Sequence, residues 1–180
     1  MKNKTLILFL IVSPLLFTFS CKDDDHEDIN IESNSMLAEF NFNEESDLNE
    51  WQFYSNDSAE MIIDTQDKIE GAGSLKIHNG CSSIINQNGI PISKESNYKI
   101  NLHLKYTEMP DGQWCGGAYQ LALVVIQGNE SEWFSLSQDQ SDWYEKEFHY
   151  HSDHTGLPIQ LRIYNGVYDL WIDDFTIEKE

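Results

Sequence analysis

Arginine occurs once in these 180 residues, at Arg162, and lysine plus arginine number 11 against 31 aspartates and glutamates, a formal net charge of −20. That balance repels phosphate backbones and excludes nucleic-acid binding; the same sign excludes direct attraction to anionic lipid. Also missing are a nucleophile elbow, a phosphate-binding glycine loop and a zinc-peptidase helix, which removes the commonest enzyme signatures. No internal repeat is visible, and no stretch of the mature chain reads as a helix. Aromatics, in contrast, are plentiful at 12%, too many for a disordered acidic tail. The length suits one domain with a core able to fold without staples.

The first residues read as a targeting segment. Lys2 and Lys4 give a positive start, residues 6–19 are almost unbroken in apolarity, and small Ser20 precedes Cys21. Residues 1–20 are therefore expected to be a secretory signal peptide. The run Thr18-Phe19-Ser20-Cys21 resembles a bacterial lipobox in the loose form of Bacteroidetes, which implies cleavage before Cys21 and lipidation of that cysteine. Lys22-Asp23-Asp24-Asp25 resembles the signal that sends such lipoproteins to the outer face of the outer membrane. Residues 21–35 then form a lipidated cysteine and an acidic flexible linker, a tether of polar residues without periodicity. The expected location is the bacterial outer membrane, exposed at the cell surface, with the membrane touched through the lipid alone.

From Met36 the pattern changes to period two or short apolar runs, broken by Gly, Asn, Asp and Ser. Strands are predicted at 36–42, 51–54, 60–64, 74–78, 82–86, 96–106, 119–127, 132–136, 143–151, 159–165 and 168–178. In 96–106 the apolar residues Tyr98, Ile100, Leu102, Leu104 and Tyr106 alternate without a break against Lys99, Asn101, His103 and Lys105. Ile159, Leu161 and Ile163 alternate in the same way against Gln160, Arg162 and Tyr164. The segment 119–127 is apolar on both faces, as a central strand would be. So many short strands with turn signals between them predict an all-β fold, a two-sheet antiparallel β-sandwich or barrel.

Four stretches carry a family resemblance. They are Phe40-Asn41-Phe42-Asn43-Glu44 with Trp51 beyond it, Gly71-Ala72-Gly73-Ser74-Leu75-Lys76-Ile77, Glu95-Ser96-Asn97-Tyr98-Lys99-Ile100, and Leu170-Trp171-Ile172-Asp173-Asp174-Phe175. In order and spacing they resemble the jelly-roll carbohydrate-binding modules of families 4, 9 and 22, within the galactose-binding-like fold. The resemblance spans residues 36–180. It implies a jelly-roll sandwich, a polysaccharide or oligosaccharide ligand, and a structural calcium joining the opening strand, the glycine turn and the closing aspartates. The matching positions are Asn43 or Glu44, Glu70 and Asp174, hard oxygen ligands of the kind calcium takes. Asn43 stands where the family usually has a glutamate.

Among residues with chemistry to offer, the carboxylate pairs Glu130/Glu132 and Asp173/Asp174 come first. Adjacent residues on a strand face opposite ways, so the aspartates cannot flank one glycosidic bond from one face. His149 and His151, two apart on a strand with His154 in the following turn, present imidazoles at a metal-binding spacing or simply a polar rim. Cys81 and Cys115 both sit beside glycine in loops; an exported protein allows a bridge between them, the alternative being two separate thiols. Aromatic rings offer faces to the C–H surfaces of sugars. Trp51 and Trp143 are expected in the core. Trp114, in the polar loop Met109-Pro110-Asp111-Gly112-Gln113-Trp114, and Trp171, out of phase with Leu170 and Ile172, are the candidate stacking platforms. Arg162, Gln160, Tyr164 and His103 are the candidate polar readers, all phased away from the core.

Together these readings describe a monomeric, non-catalytic glycan-binding lipoprotein that holds a sugar polymer near the cell. The rivals are a protein-binding adhesion sandwich and a small glycoside hydrolase or lyase.

Overall fold

The computed structural model of the chain describes residues 35–55, 59–110, 115, 120–138 and 142–180. The signal segment, the lipidation site Cys21, the linker to residue 34 and Trp114 lie outside these. Eleven strands are present: β1 (Met36–Phe40), β2 (Trp51–Ser55), β3 (Glu60–Asp64), β4 (Ser74–His78), β5 (Ser82–Asn86), β6 (Asn97–Thr107), β7 (Ala122–Gln127), β8 (Glu130–Ser135), β9 (Tyr144–His151), β10 (Ile159–Asn165) and β11 (Asp169–Lys179). The one helical piece among the described residues is a short 3-10 turn, Glu45–Glu50, which strand alternation does not reveal. Asp47 holds its entry by accepting the N–H groups of Asn43 and Glu44 at 2.7 and 3.0 Å.

The strands pair antiparallel throughout and form two sheets, one six-stranded in the order β3-β4-β11-β6-β9 with β1 also against β11, the other five-stranded in the order β2-β5-β10-β7-β8. The all-β two-sheet sandwich is thus the observed fold. The reason is the alternation itself: each strand buries every second side chain, and two such faces satisfy each other. Leu75, Ile77, Ile100, Leu102, Leu104, Leu170 and Ile172 from one sheet meet Ile84, Leu123, Val125, Ile159, Leu161 and Ile163 from the other, all buried. An aromatic cluster closes one part of this core: Phe40 lies 5.0 Å from Trp51 and 5.3 Å from Phe175 between ring centroids. Trp51 is in the core as expected. Trp143 is not: it is half-buried at the entrance to β9, and its indole N–H donates to Asp67 Oδ1 at 2.8 Å.

Strand β11 pairs with β6 along one edge and serves two partners along the other. Leu170–Ile172 pairs with β4, and Phe175–Glu178 pairs with β1. Between them the register against β6 slips at Asp173 and Asp174, and Asp174 takes a left-handed φ of 47°. A β-bulge of this sort re-aims side chains. Here it turns the Asp173 carboxylate toward the β3–β4 loop, where it accepts N–H groups from Ile69 at 2.7 Å and Glu70 at 3.0 Å, as well as from Asp174 at 2.9 Å. Asp173 is only 3% exposed; three donors are what make a carboxylate tolerable there.

The connections β4–β5 and β6–β7 both cross from the six-stranded to the five-stranded sheet. Cys81 on the first and Cys115 on the second are joined by a disulfide, with Cα atoms 5.1 Å apart. Beside it Gly80 adopts φ 73°, and a Cβ there would stand 2.3 Å from the Met109 methyl. The two crossovers are thus packed together as well as covalently linked.

Candidate functional site

A sandwich has two outer faces, and here they differ in kind. On the five-stranded sheet the strand registers put Gln52 and Tyr54 of β2, Ser83 and Ile85 of β5, Gln160, Arg162 and Tyr164 of β10, Ala122, Val124 and Ile126 of β7, and Ser131, Trp133 and Ser135 of β8 on the outward side. Trp133 and Tyr164 stack across the small residues of β7, with centroids 5.1 Å apart and planes at 16°. Arg162 continues the row. Its guanidinium carbon lies 5.6 Å from the ring of Tyr164 and 5.6 Å from that of Tyr54, and its Nη1 donates to the Tyr164 hydroxyl at 3.2 Å. Trp133 is 53% exposed and Tyr54 44%. Ala122 and Val124 are buried although they face outward, which is why this strand reads as apolar on both faces. The row runs from edge strand β2 to edge strand β8, four strand spacings or roughly 19 Å.

The six-stranded sheet spends its aromatic on itself. Trp171 of β11 is paired in register with Lys76 of β4 on one side and Lys105 of β6 on the other. The two ammonium groups lie 4.4 and 5.4 Å from its ring centroid. Its indole N–H donates to Asp64 Oδ2 at 2.9 Å. The lysines are neutralised in turn: Lys76 lies 3.8 Å from Asp64 and 3.9 Å from Asp169, and Lys105 lies 2.6 Å from Asp67. The result is a tryptophan only 6% exposed on a face that is nominally solvent-facing.

The six candidate ligand residues therefore do not converge. Gln160, Arg162 and Tyr164 share the five-stranded outer face. Trp171 and His103 belong to the opposite side of the molecule and are corrected accordingly: Trp171 has no ring face left for a sugar, and His103 Nδ1 lies 3.1 Å from Asp174 Oδ2. Trp114 lies outside the described residues. Trp133 and Tyr54 belong to the row and were not singled out from the sequence. Their phase was readable, since Trp133 alternates with Ser131 and Ser135 while Phe134 points inward, and Tyr54 follows inward-facing Phe53.

The segments expected to share a calcium do meet. Asn43 Oδ1 accepts the Ala72 N–H at 2.5 Å, over a Gly71 whose φ of 60° and missing Cβ make room for it. The junction is held by side-chain oxygens on backbone N–H groups, Asn43 on one side and Asp173 on the other. Asp174 faces His103, and among the described residues no three His, Cys, Asp or Glu groups are placed to hold a metal ion. Of the four positions expected to ligate calcium, Asn43 and Asp174 each engage a protein partner, the Ala72 N–H and His103.

His149 and His151 project from the same face of β9, but each has its own partner: His149 Nδ1 lies 3.1 Å from Glu180 and His151 Nδ1 lies 2.8 Å from Asn97 Oδ1. The Glu180 hydrogen bond raises the His149 pKa. Glu130 and Glu132 line a hollow of about 230 Å³ with Gln127, Tyr150, His151 and Asp153. Burial first, then the charges of Asp153, Glu132 and Glu130, push the Tyr150 phenol up to about 12. That phenol remains a donor, to Gln127 Oε1 at 2.7 Å.

No family model and no curated protein matches the sequence. Solved structures do resemble it in fold. The family 22-1 xylan-binding domain of Paenibacillus barcinonensis Xyn10C superposes with a TM-score of 0.60 at 13% identity, over 83% of this chain and 97% of that domain. The family 22-1 module in Clostridium thermocellum Xyn10B, solved with its catalytic module and xylohexaose, gives a TM-score of 0.61 at 17% identity over 81% of this chain and 28% of that one. Part of the tailspike protein 4 of bacteriophage CBA120 gives 0.54 at 10% identity over 74% of this chain and 20% of that one. The chain therefore shares its two-sheet β-sandwich fold with these domains.

Proposed function

We propose that this chain is a non-catalytic glycan-binding module that lays a polysaccharide or oligosaccharide across the outer face of its five-stranded sheet. The observation that carries this reading is the row Tyr54, Arg162, Tyr164 and Trp133, with two rings about half exposed. Sugar rings stack their C–H faces on such aromatics, and hydroxyls pair with the amide of Gln160 and the fork of Arg162. A solved domain that shares the fold and is described as xylan-binding, and another solved in complex with xylohexaose, support the same ligand class. The outward strand positions of this face carry no carboxylate to pair for hydrolysis.

The wider setting belongs to the same proposal. The chain is a monomeric lipoprotein held through Cys21, with the acidic segment behind it as tether and export signal, at the surface of a Bacteroidetes-type outer membrane. A glycan array probed with the purified protein tests the binding reading: retention of a set of related plant or microbial glycans is expected. A blank array across neutral and acidic glycans overturns it in favour of the protein-binding rival.

A further inference from the structure

The class of glycan can be narrowed, on the footing of the glycan-binding reading above. The outward positions of the five-stranded sheet carry no aspartate, glutamate, histidine or lysine, in a chain with 31 acids. The one charge among them is the chain's only arginine. Arg162 makes no ion pair with any described carboxylate. Its hydrogen bond goes to the Tyr164 hydroxyl, and its Nε is buried without an acceptor. The opposite outer face shows what this chain does with cations elsewhere: Lys76, Lys105 and Lys99 each have a carboxylate within 4 Å.

A guanidinium held between two tyrosine rings, with no counter-charge among the described residues, suits a planar anion. A carboxylate matches the fork in geometry and charge, where a hydroxyl supplies one acceptor and no charge. The chain's overall negative charge does not prevent this contact, since exposed charges farther than about 8 Å are largely screened at physiological ionic strength. We propose that the ligand is an acidic glycan, and that Arg162 receives the carboxylate of a uronic-acid residue while neighbouring sugars stack on Trp133 and Tyr54.

The test uses glucuronoxylan, polygalacturonate and alginate, each before and after carboxyl reduction to the primary alcohol, with unsubstituted xylan as the neutral reference. A sulfated galactan is included before and after desulfation. Isothermal titration compares wild type, Arg162→Gln, Arg162→Lys and Trp133→Ala, with circular dichroism to check folding. At least one uronate polymer should bind wild type about ten- to a hundred-fold more tightly than its reduced form. Arg162→Gln should erase that difference and bind both forms like the reduced one. Arg162→Lys, which keeps the stem and charge, should retain part of it, and Trp133→Ala should weaken both forms alike. Equal binding of native and reduced polymers, or binding that follows sulfate instead, overturns the carboxylate assignment and leaves glycan binding standing. Failure to bind any member of the set, neutral ones included, overturns both.

Discussion

Two tryptophans sit at outward-phased positions on opposite sides of this sandwich and meet opposite fates. Trp171 is clamped between Lys76 and Lys105 and hydrogen-bonded to Asp64, and it is 6% exposed. Trp133 stacks on one neighbour, Tyr164, and stays 53% exposed. The difference lies in the flanking strands. In the six-stranded sheet, long amphipathic lysines stand on both sides of the tryptophan and fold their stems and ammonium groups over it, held by Asp64, Asp67 and Asp169. In the five-stranded sheet the flanking strand offers Ala122 and Val124, too short to cover a ring. One face is closed by its own charges. The other is left with rings, amides, hydroxyls and one cation without a counter-ion among the described residues.

The disulfide serves both faces, because it clamps the two crossovers between the sheets. Replacing Cys81 and Cys115 by serine should cost about 4 kcal/mol on the chain-entropy account, given their sequence separation of 34. Urea unfolding with and without reductant measures it; a change below about 1 kcal/mol would mean the crossovers are held by packing alone. Next in size is Trp171→Ala, expected to lower stability by about 3 kcal/mol while leaving glycan affinity unchanged. A loss of affinity with intact stability would return Trp171 to the binding surface. The reciprocal variant, Trp133→Ala, should lose about ten- to a hundred-fold in affinity, with stability changed by no more than about 1 kcal/mol.

How much of this was readable in the sequence depends on what kind of information alternation carries. Period two locates strands and says which side chains leave the core, and each of the eleven strands appears within a few residues of its expected place. It does not say which sheet a strand joins. Trp171, His103, Arg162 and Gln160 share a phase, yet β11 and β6 pair with each other while β10 lies between β5 and β7. Grouping them as one site required a partner assignment that phase cannot supply. Nor does phase report covering: Trp171 and Trp133 look alike until the neighbours Lys76, Lys105, Ala122 and Val124 are placed by register. The short turn Glu45–Glu50 was invisible for another reason, since its start is fixed by the Asp47 side chain and not by a hydrophobic period.

The smallest expected effect is a pH dependence confined to one face. Burial alone would raise the Asp64 pKa, but the hydrogen bond from Trp171, the N–H groups of Gln66 and Asp67 and the charge of Lys76 together hold it below the ordinary aspartate value. A carboxylate with a depressed folded-state pKa stabilises the fold above its unfolded pKa, near 3.9, and that contribution is lost as pH falls through the lower folded value. Protonation would also release Lys76 and weaken the closure over Trp171. Acidification from pH 5 to pH 3 should therefore lower the melting temperature, and Asp64→Asn should show a shallower fall than wild type over that range. The outward positions of the five-stranded sheet hold no group that titrates there, so affinity for a neutral glycan should stay flat from pH 8 down to the onset of unfolding. Parallel pH profiles in wild type and Asp64→Asn would break the assignment to Asp64. A neutral-glycan affinity that titrates near pH 4 would place an acid on the binding face and end the contrast between the two sides.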